Sequence, residues 1–103
     1  MYTVDDIKNC KTEDQFIEKL SFMSDDVPKK CYSYDQAEEI VAYLGCYNLL
    51  DISYVCREQI LYTIAEFVNN YKIVDKCLFN KLKEIQLQLE DDLKEYVDEI
   101  VSL

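Results

Sequence analysis

The chain has 103 residues, half of them apolar or aromatic, with one Gly, one Pro and no His. That length holds one core and one domain, residues 1–103, burying roughly two-thirds of its unfolded surface, and the apolar content excludes disorder over most of it. Its 21 acidic residues against 11 basic ones leave a net charge of −10, a field that repels nucleic acid and anionic membranes and attracts basic partners.

Sheets and tight turns consume more Gly and Pro than this, so the expected fold class is all-α: a compact bundle of four to five helices around a central helix at about 54–70. In chain order, Thr3 can cap a short first turn, with Asp6 at N3 near the positive end of the dipole. Thr12 and Gln15 form a capping box ahead of Phe16, Ile17, Leu20 and Met23, giving a helix over 13–24. Asp25 and Asp26 suit the negative end of a helix poorly and are assigned to a loop with Pro28. Ser33 and Gln36 make a second capping box. Ala37, Ile40, Val41 and Leu44 follow at helical spacing, and Gly45 is expected as a left-handed stop, so this helix spans 34–44.

The apolar segment CYNLLDIS then leads to Asp51 or Ser53 as the cap of the central helix. In that helix Ile60, Leu61, Ile64, Phe67, Val68 and Tyr71 share a face that Val55, Cys56 and Ala65 widen, leaving Arg57, Glu58, Gln59, Thr63 and Glu66 as the polar side. Asn69 and Asn70 are expected to fray its end, Ile73 and Val74 to bridge, and Asp75 to cap the last helical stretch. From Leu78 to Leu103 the apolar residues keep a heptad-like rhythm with one stutter. Residues 76–102 are either one helix of about 27 residues or two helices broken at Glu90-Asp91-Asp92; the two aspartates suit a first turn, which favours the break.

Charge is segregated. Residues 72–83 hold four lysines against Asp75, net +3, whereas residues 84–103 hold seven acids against Lys94, net −6. Five widely spaced cysteines (Cys10, Cys31, Cys46, Cys56, Cys77), without a C-x-x-C pair, predict reduced, buried thiols. The opening MYTVDDIKNC lacks the regions of a secretory signal, so the expected location is cytoplasmic.

No enzyme is expected. Without His the commonest general base and every Ser-His or Cys-His pair are missing, and one Gly allows neither a P-loop nor a dinucleotide fingerprint. No cofactor or metal is expected. Asp92, Glu95 and Glu99 share a helical face but lack the loop of an EF-hand, and Cys56 beside Arg57 sits next to the apolar face, as a core thiol would. Nine tyrosines exceed what a core this size needs, and Tyr contributes interface area at low entropy cost. The expected partner-binding residues are therefore Tyr32, Tyr34, Asp35, Glu38, Glu39, Tyr43 and Tyr47 around the second capped helix, and Asp91, Asp92, Glu95 and Glu99 near the C-terminus.

Ile60-Leu61, Ile64-Ala65-Glu66, Ile73, Leu78-Phe79, Leu82 and Ile85, followed by an acidic end, make the second half similar to small helical immunity proteins of bacterial toxin systems, the contact-dependent growth inhibition and MafI-type families. The resemblance covers about 45 residues. It implies a cytosolic antidote that binds the nuclease domain of a secreted toxin, often as a helical dimer. Composition alone also admits a homodimeric structural or adaptor module built on the leucine-rich last stretch, or a viral or phage antagonist mimicking nucleic-acid charge.

Overall fold

A computed structural model describes residues 1–102. Among them the chain forms six α-helices and no strand: α1 (Val4–Lys8), α2 (Glu13–Asp26), α3 (Tyr34–Gly45), α4 (Tyr54–Tyr71), α5 (Lys76–Ile85) and α6 (Asp91–Val101), with single 3₁₀ turns after α2, before α4 and after α5. α4 is the centre, packed against α2, α3 and α6, while α1 closes over α2 and α3 and α5 lies on α6. One apolar cluster runs through all six helices. The Cα radius of gyration, 12.6 Å, matches the ~13 Å of a fully folded chain this long. No described helix is long and apolar enough to cross a membrane.

Local chemistry sets the helix starts. The Thr12, Ser33, Ser53 and Asp75 side chains accept from the N–H three residues on, at 3.0–3.2 Å, satisfying donors that have no partner within a helix. Ser53, not Asp51, caps α4; Asp51 lies in the 3₁₀ turn. At α1 the Asp6 carboxylate accepts from the Thr3 N–H at 2.7 Å, which holds its pKa below the usual value.

The helix ends depart from expectation. α2 runs on through Asp25 and Asp26, and Lys29 pairs with Asp26 at 3.6 Å, offsetting the unfavourable dipole. Gly45 is helical and has no positive φ. Its lack of a side chain serves packing, since a Cβ there would stand 3.0 Å from Leu78 Cδ1. α4 does not fray at Asn69 and Asn70. Lys72 takes the left-handed conformation (φ 55°), and the Ile73 N–H reaches back to the Val68 carbonyl at 3.2 Å, with Ile73 buried.

The C-terminal stretch is broken. After α5 the chain makes a 3₁₀ turn, Leu89 is extended and buried, and Asp91 and Asp92 open α6. Leu78, Leu82, Leu89, Leu93 and Ile100 all turn into the protein's own core, Ile85 and Tyr96 are partly buried against it, and Leu103 lies outside the described residues.

Three further corrections concern burial. Thr63 is fully buried where α2 crosses α4. Its hydroxyl lies 2.9 Å from Ser24 Oγ, whose own proton goes to the Leu20 carbonyl at 2.9 Å, so Thr63 is the donor; the Gln59 amide in turn donates to Thr63 at 3.2 Å. The hydroxyls are satisfied, which is what permits their burial. Val55 is exposed rather than part of the apolar face. Of the cysteines only Cys56 is buried; Cys10 is half-buried, and Cys31, Cys46 and Cys77 are exposed, because they sit in turns and at helix ends where the apolar face does not reach.

Ile64 is fully buried at the middle of α4. An Ile64→Asp substitution leaves an unpaired carboxyl there and should cost several kcal/mol of a total stability of about 5–15 kcal/mol. The expected outcome is loss of the cooperative thermal transition followed by circular dichroism. A melt shifted by only a degree or two would contradict the central position of α4.

Candidate protein-binding face

The tyrosine cluster expected around α3 is dispersed by the fold. Tyr32 is buried, its ring edge-on to Phe67 at 5.2 Å. Its hydroxyl donates to the Tyr2 carbonyl (2.8 Å), and its backbone exchanges two hydrogen bonds with the Tyr71 hydroxyl. Tyr43 and Tyr47 are half-buried and meet edge to face at 5.7 Å; Tyr47 leans on Phe16, and the Lys8 ammonium sits over the Tyr43 ring. On the outer side of α3, Tyr34, Asp35, Glu38 and Glu39 remain exposed. Beside them Glu39, Asp5 and Thr3 help line a cleft of ≈ 190 Å³ between α1 and α3.

A second face joins two other elements. On α4, Tyr54, Glu58, Tyr62 and Glu66 recur every four residues and so stand above one another on one side. Across from them α6 presents Asp92, Tyr96 and Glu99. The Tyr54 hydroxyl donates to the Asp92 carboxylate and, at 3.4 Å, to Glu58. Tyr62 and Tyr96 pack edge to face with centroids 6.1 Å apart. Glu58, Gln59, Tyr62 and Tyr96 line an open cleft of ≈ 240 Å³. Tyr54 and Tyr62 keep 39% and 38% of their surface exposed, so their rings remain open to a visitor.

The electrostatics of this seam are one-signed. The ion pairs among the described residues use Asp26, Glu90 and Asp91. Glu58, Glu66, Asp92, Glu95 and Glu99 have no lysine or arginine within pairing distance. The tyrosines register that field. Tyr54 is raised above its ordinary pKa chiefly by its hydrogen bond to Asp92, then by burial and by the charges of Asp92 and Glu58. Tyr62 is raised by burial, then by Glu66 and Asp25. Tyr96 is raised by burial, then by Glu58, Glu99, Tyr62 and Asp92.

Of the expected α6 residues, Asp92 belongs to the seam through Tyr54, and Glu99 through its effect on Tyr96. Glu95 is exposed, and Asp91 is exposed and paired with Lys94 at 3.1 Å. Tyr54, Glu58, Tyr62, Glu66 and Tyr96 were not in the expected set. The i, i+4 series Tyr-Glu-Tyr-Glu along α4 was the signal that could have found them. Among the described residues no three Cys, Asp or Glu side chains converge as a metal site requires. What the seam can do is hold cations: carboxylates supply charge, and the tyrosine faces supply cation–π contact. Comparison with protein-family models, with curated proteins and with solved structures returns no match for this chain.

The seam tyrosines titrate late because the fold favours their neutral form. A tyrosine whose folded pKa is raised contributes stability that is fully present below the unfolded value, near 10, and is lost as pH rises through the folded value. Phenolate absorbance should therefore lag behind that of the unfolded chain. Asp92→Asn, which removes the acceptor's charge but keeps an amide oxygen in its place, should move Tyr54 and, by less, Tyr96 back toward the ordinary value. A titration curve unchanged by that substitution would contradict the seam's electrostatics.

Proposed function

We propose that the protein is an inhibitor of the immunity or antitoxin type, acting in the cytoplasm, that binds and neutralises a basic toxin domain, nuclease-like in its charge, through the seam between α4 and α6. The observation that carries this proposal is the set of three tyrosines held among carboxylates that lack a cationic partner within the chain. Supporting it are the net charge of −10 and the second-half resemblance to small helical immunity proteins. Opposite fields steer diffusional encounter and raise association rates at low salt. Once the partner docks, Tyr54, Tyr62 and Tyr96 serve as rigid anchors around which a hot spot forms, with lysine or arginine side chains seated against their rings. The exposed α3 set, Tyr34, Asp35, Glu38 and Glu39, acts as a second patch that adds to the long-range field.

The test compares two charge reversals, Glu58→Lys with Glu99→Lys on the seam and Glu38→Lys with Glu39→Lys on α3. Each is measured by stopped flow or surface plasmon resonance across a salt series, against a panel of basic nuclease toxin domains. The seam reversal should slow association by roughly tenfold at low salt and flatten the salt dependence. Tyr62→Ala should act mainly on dissociation. Thermal melts close to wild type would show that the fold is intact. Binding indifferent to salt and to both reversals, or no binding to any basic domain at low salt, would contradict the proposal.

A further inference from the structure

Cys46 and Cys77 are both exposed, and the fold brings them together from helices the sequence does not join. Cys46 directly follows the last residue of α3, and Cys77 lies in the first turn of α5. They line one shallow cleft of ≈ 290 Å³ with Ala42, Gly45, Asp75, Leu78 and Lys81. The residues beside them meet where the two helices touch: a Cβ on Gly45 would stand 3.0 Å from Leu78 Cδ1. Lys81 fixes the chain on both sides of Cys46, donating from Nζ to the Gly45 carbonyl at 2.6 Å and the Tyr47 carbonyl at 3.0 Å. This corner also carries the chain's basic segment, Lys72, Lys76, Lys81 and Lys83, which attracts small anions to a molecule that otherwise repels them.

We propose that Cys46 and Cys77 are a reactive dithiol that closes to a disulfide by exchange with an anionic low-molecular-weight disulfide such as oxidised glutathione. One cysteine, as thiolate, attacks a sulfur of the small disulfide; the new S–S bond forms as the old one breaks, and one glutathione thiolate leaves. The second cysteine, as thiolate, attacks the protein sulfur of this mixed disulfide and expels the second glutathione thiolate. The protein loses two protons and two electrons: the electrons cleave the glutathione disulfide to two thiolates, which take up the protons as two thiols. Closure needs the two Cα atoms within about 7 Å, and the residues next to the pair are in contact, the Leu78 side chain lying against Gly45. The product pins the end of α3 to the start of α5, which otherwise packs mainly on α6. The other cysteines differ. Cys10 and Cys56 also share a cleft, but Cys56 is buried and burial pushes its thiol pKa up, whereas Cys31 is exposed and lines neither of these clefts.

The test treats the reduced full chain with oxidised glutathione and maps cysteine peptides by mass spectrometry, for wild type, Cys46→Ser and Cys77→Ser. In wild type, Cys46 and Cys77 should appear as one crosslinked peptide, two hydrogens lighter than the reduced pair, while Cys31 retains a glutathione adduct. In each variant the remaining member of the pair should retain the adduct because no thiol is there to expel it. Oxidation should raise the melting temperature of wild type and leave that of either variant unchanged, since a loop of about 30 residues is closed only in the first. Glutathione adducts persisting on both Cys46 and Cys77 in wild type, both thiols staying reduced while Cys31 is capped, or a crosslink between Cys10 and Cys56 instead would each overturn the proposal.

Discussion

Arg57 is where the central helix, the apolar loop before it and the last helix are tied together. Its Nε donates to the Leu49 carbonyl at 2.7 Å and one terminal nitrogen to the Ile52 carbonyl at 2.9 Å; the other grips both oxygens of Glu90 at 2.8 and 2.6 Å. The side chain is only 12% exposed, so the guanidinium satisfies carbonyls that the irregular loop could not otherwise pair. A lysine has neither the planar fork nor enough donors in fixed directions to serve all three partners. Because Glu90 is the residue that precedes α6, this clamp sets where α6 starts. That in turn places Asp92 against Tyr54 and Tyr96 against Tyr62. The acidic seam is therefore a consequence of how the loop before α4 is held.

The parts of the fold legible in the sequence are those governed by local chemistry. The Ser33–Gln36 box reads correctly because each side chain reaches only three residues along its own chain, at 2.9 and 3.1 Å. The break before α6 reads correctly because Asp91 and Asp92 favour a helix start wherever they occur. The misreadings arise where tertiary contacts overrule propensity. Among the described residues the two left-handed ones are Lys30 and Lys72 rather than Gly45, although the left-handed conformation costs a β-carbon-bearing residue roughly 1–2 kcal/mol. Lys30 is held by its ammonium, which donates to the Asn70 carbonyl and lies 4.6 Å from the centre of the Tyr71 ring. Lys72 is held by burial of its neighbour Ile73. Thr63 looks outward-facing on a helical wheel, yet Ser24 is small enough for α2 to approach, and the two hydroxyls satisfy each other.

For the candidate site, net charge and the surplus of tyrosine are properties of composition, and both carry directly into the folded surface. Which tyrosines reach that surface is not a property of composition. Tyr32 and Tyr34 are two residues apart, yet one is buried against Phe67 and the other is 46% exposed. The difference arises from Tyr71, whose hydroxyl bonds the Tyr32 backbone from across the core. Likewise the pairing of α4 with α6 that turns Tyr62 and Tyr96 into one cleft depends on a chain reversal after α5, stabilised by the Gln86 amide donating to the Lys94 carbonyl at 3.0 Å and to Asp98 at 2.8 Å. The cysteines were misjudged for the same reason, since burial follows position on a helix more than side-chain chemistry.

Reception of cations at the α4–α6 seam is tested most directly by a residue-resolved measurement. An oligo-arginine peptide titrated into isotopically labelled protein at low salt reports, through amide chemical shifts, where positive charge settles. Perturbations concentrated on residues 54–66 and 92–99, fading as salt is added, are the result expected from the tyrosines and unpaired carboxylates gathered there. Perturbations spread evenly over every acidic helix, or concentrated on residues 34–42 of α3, would contradict it.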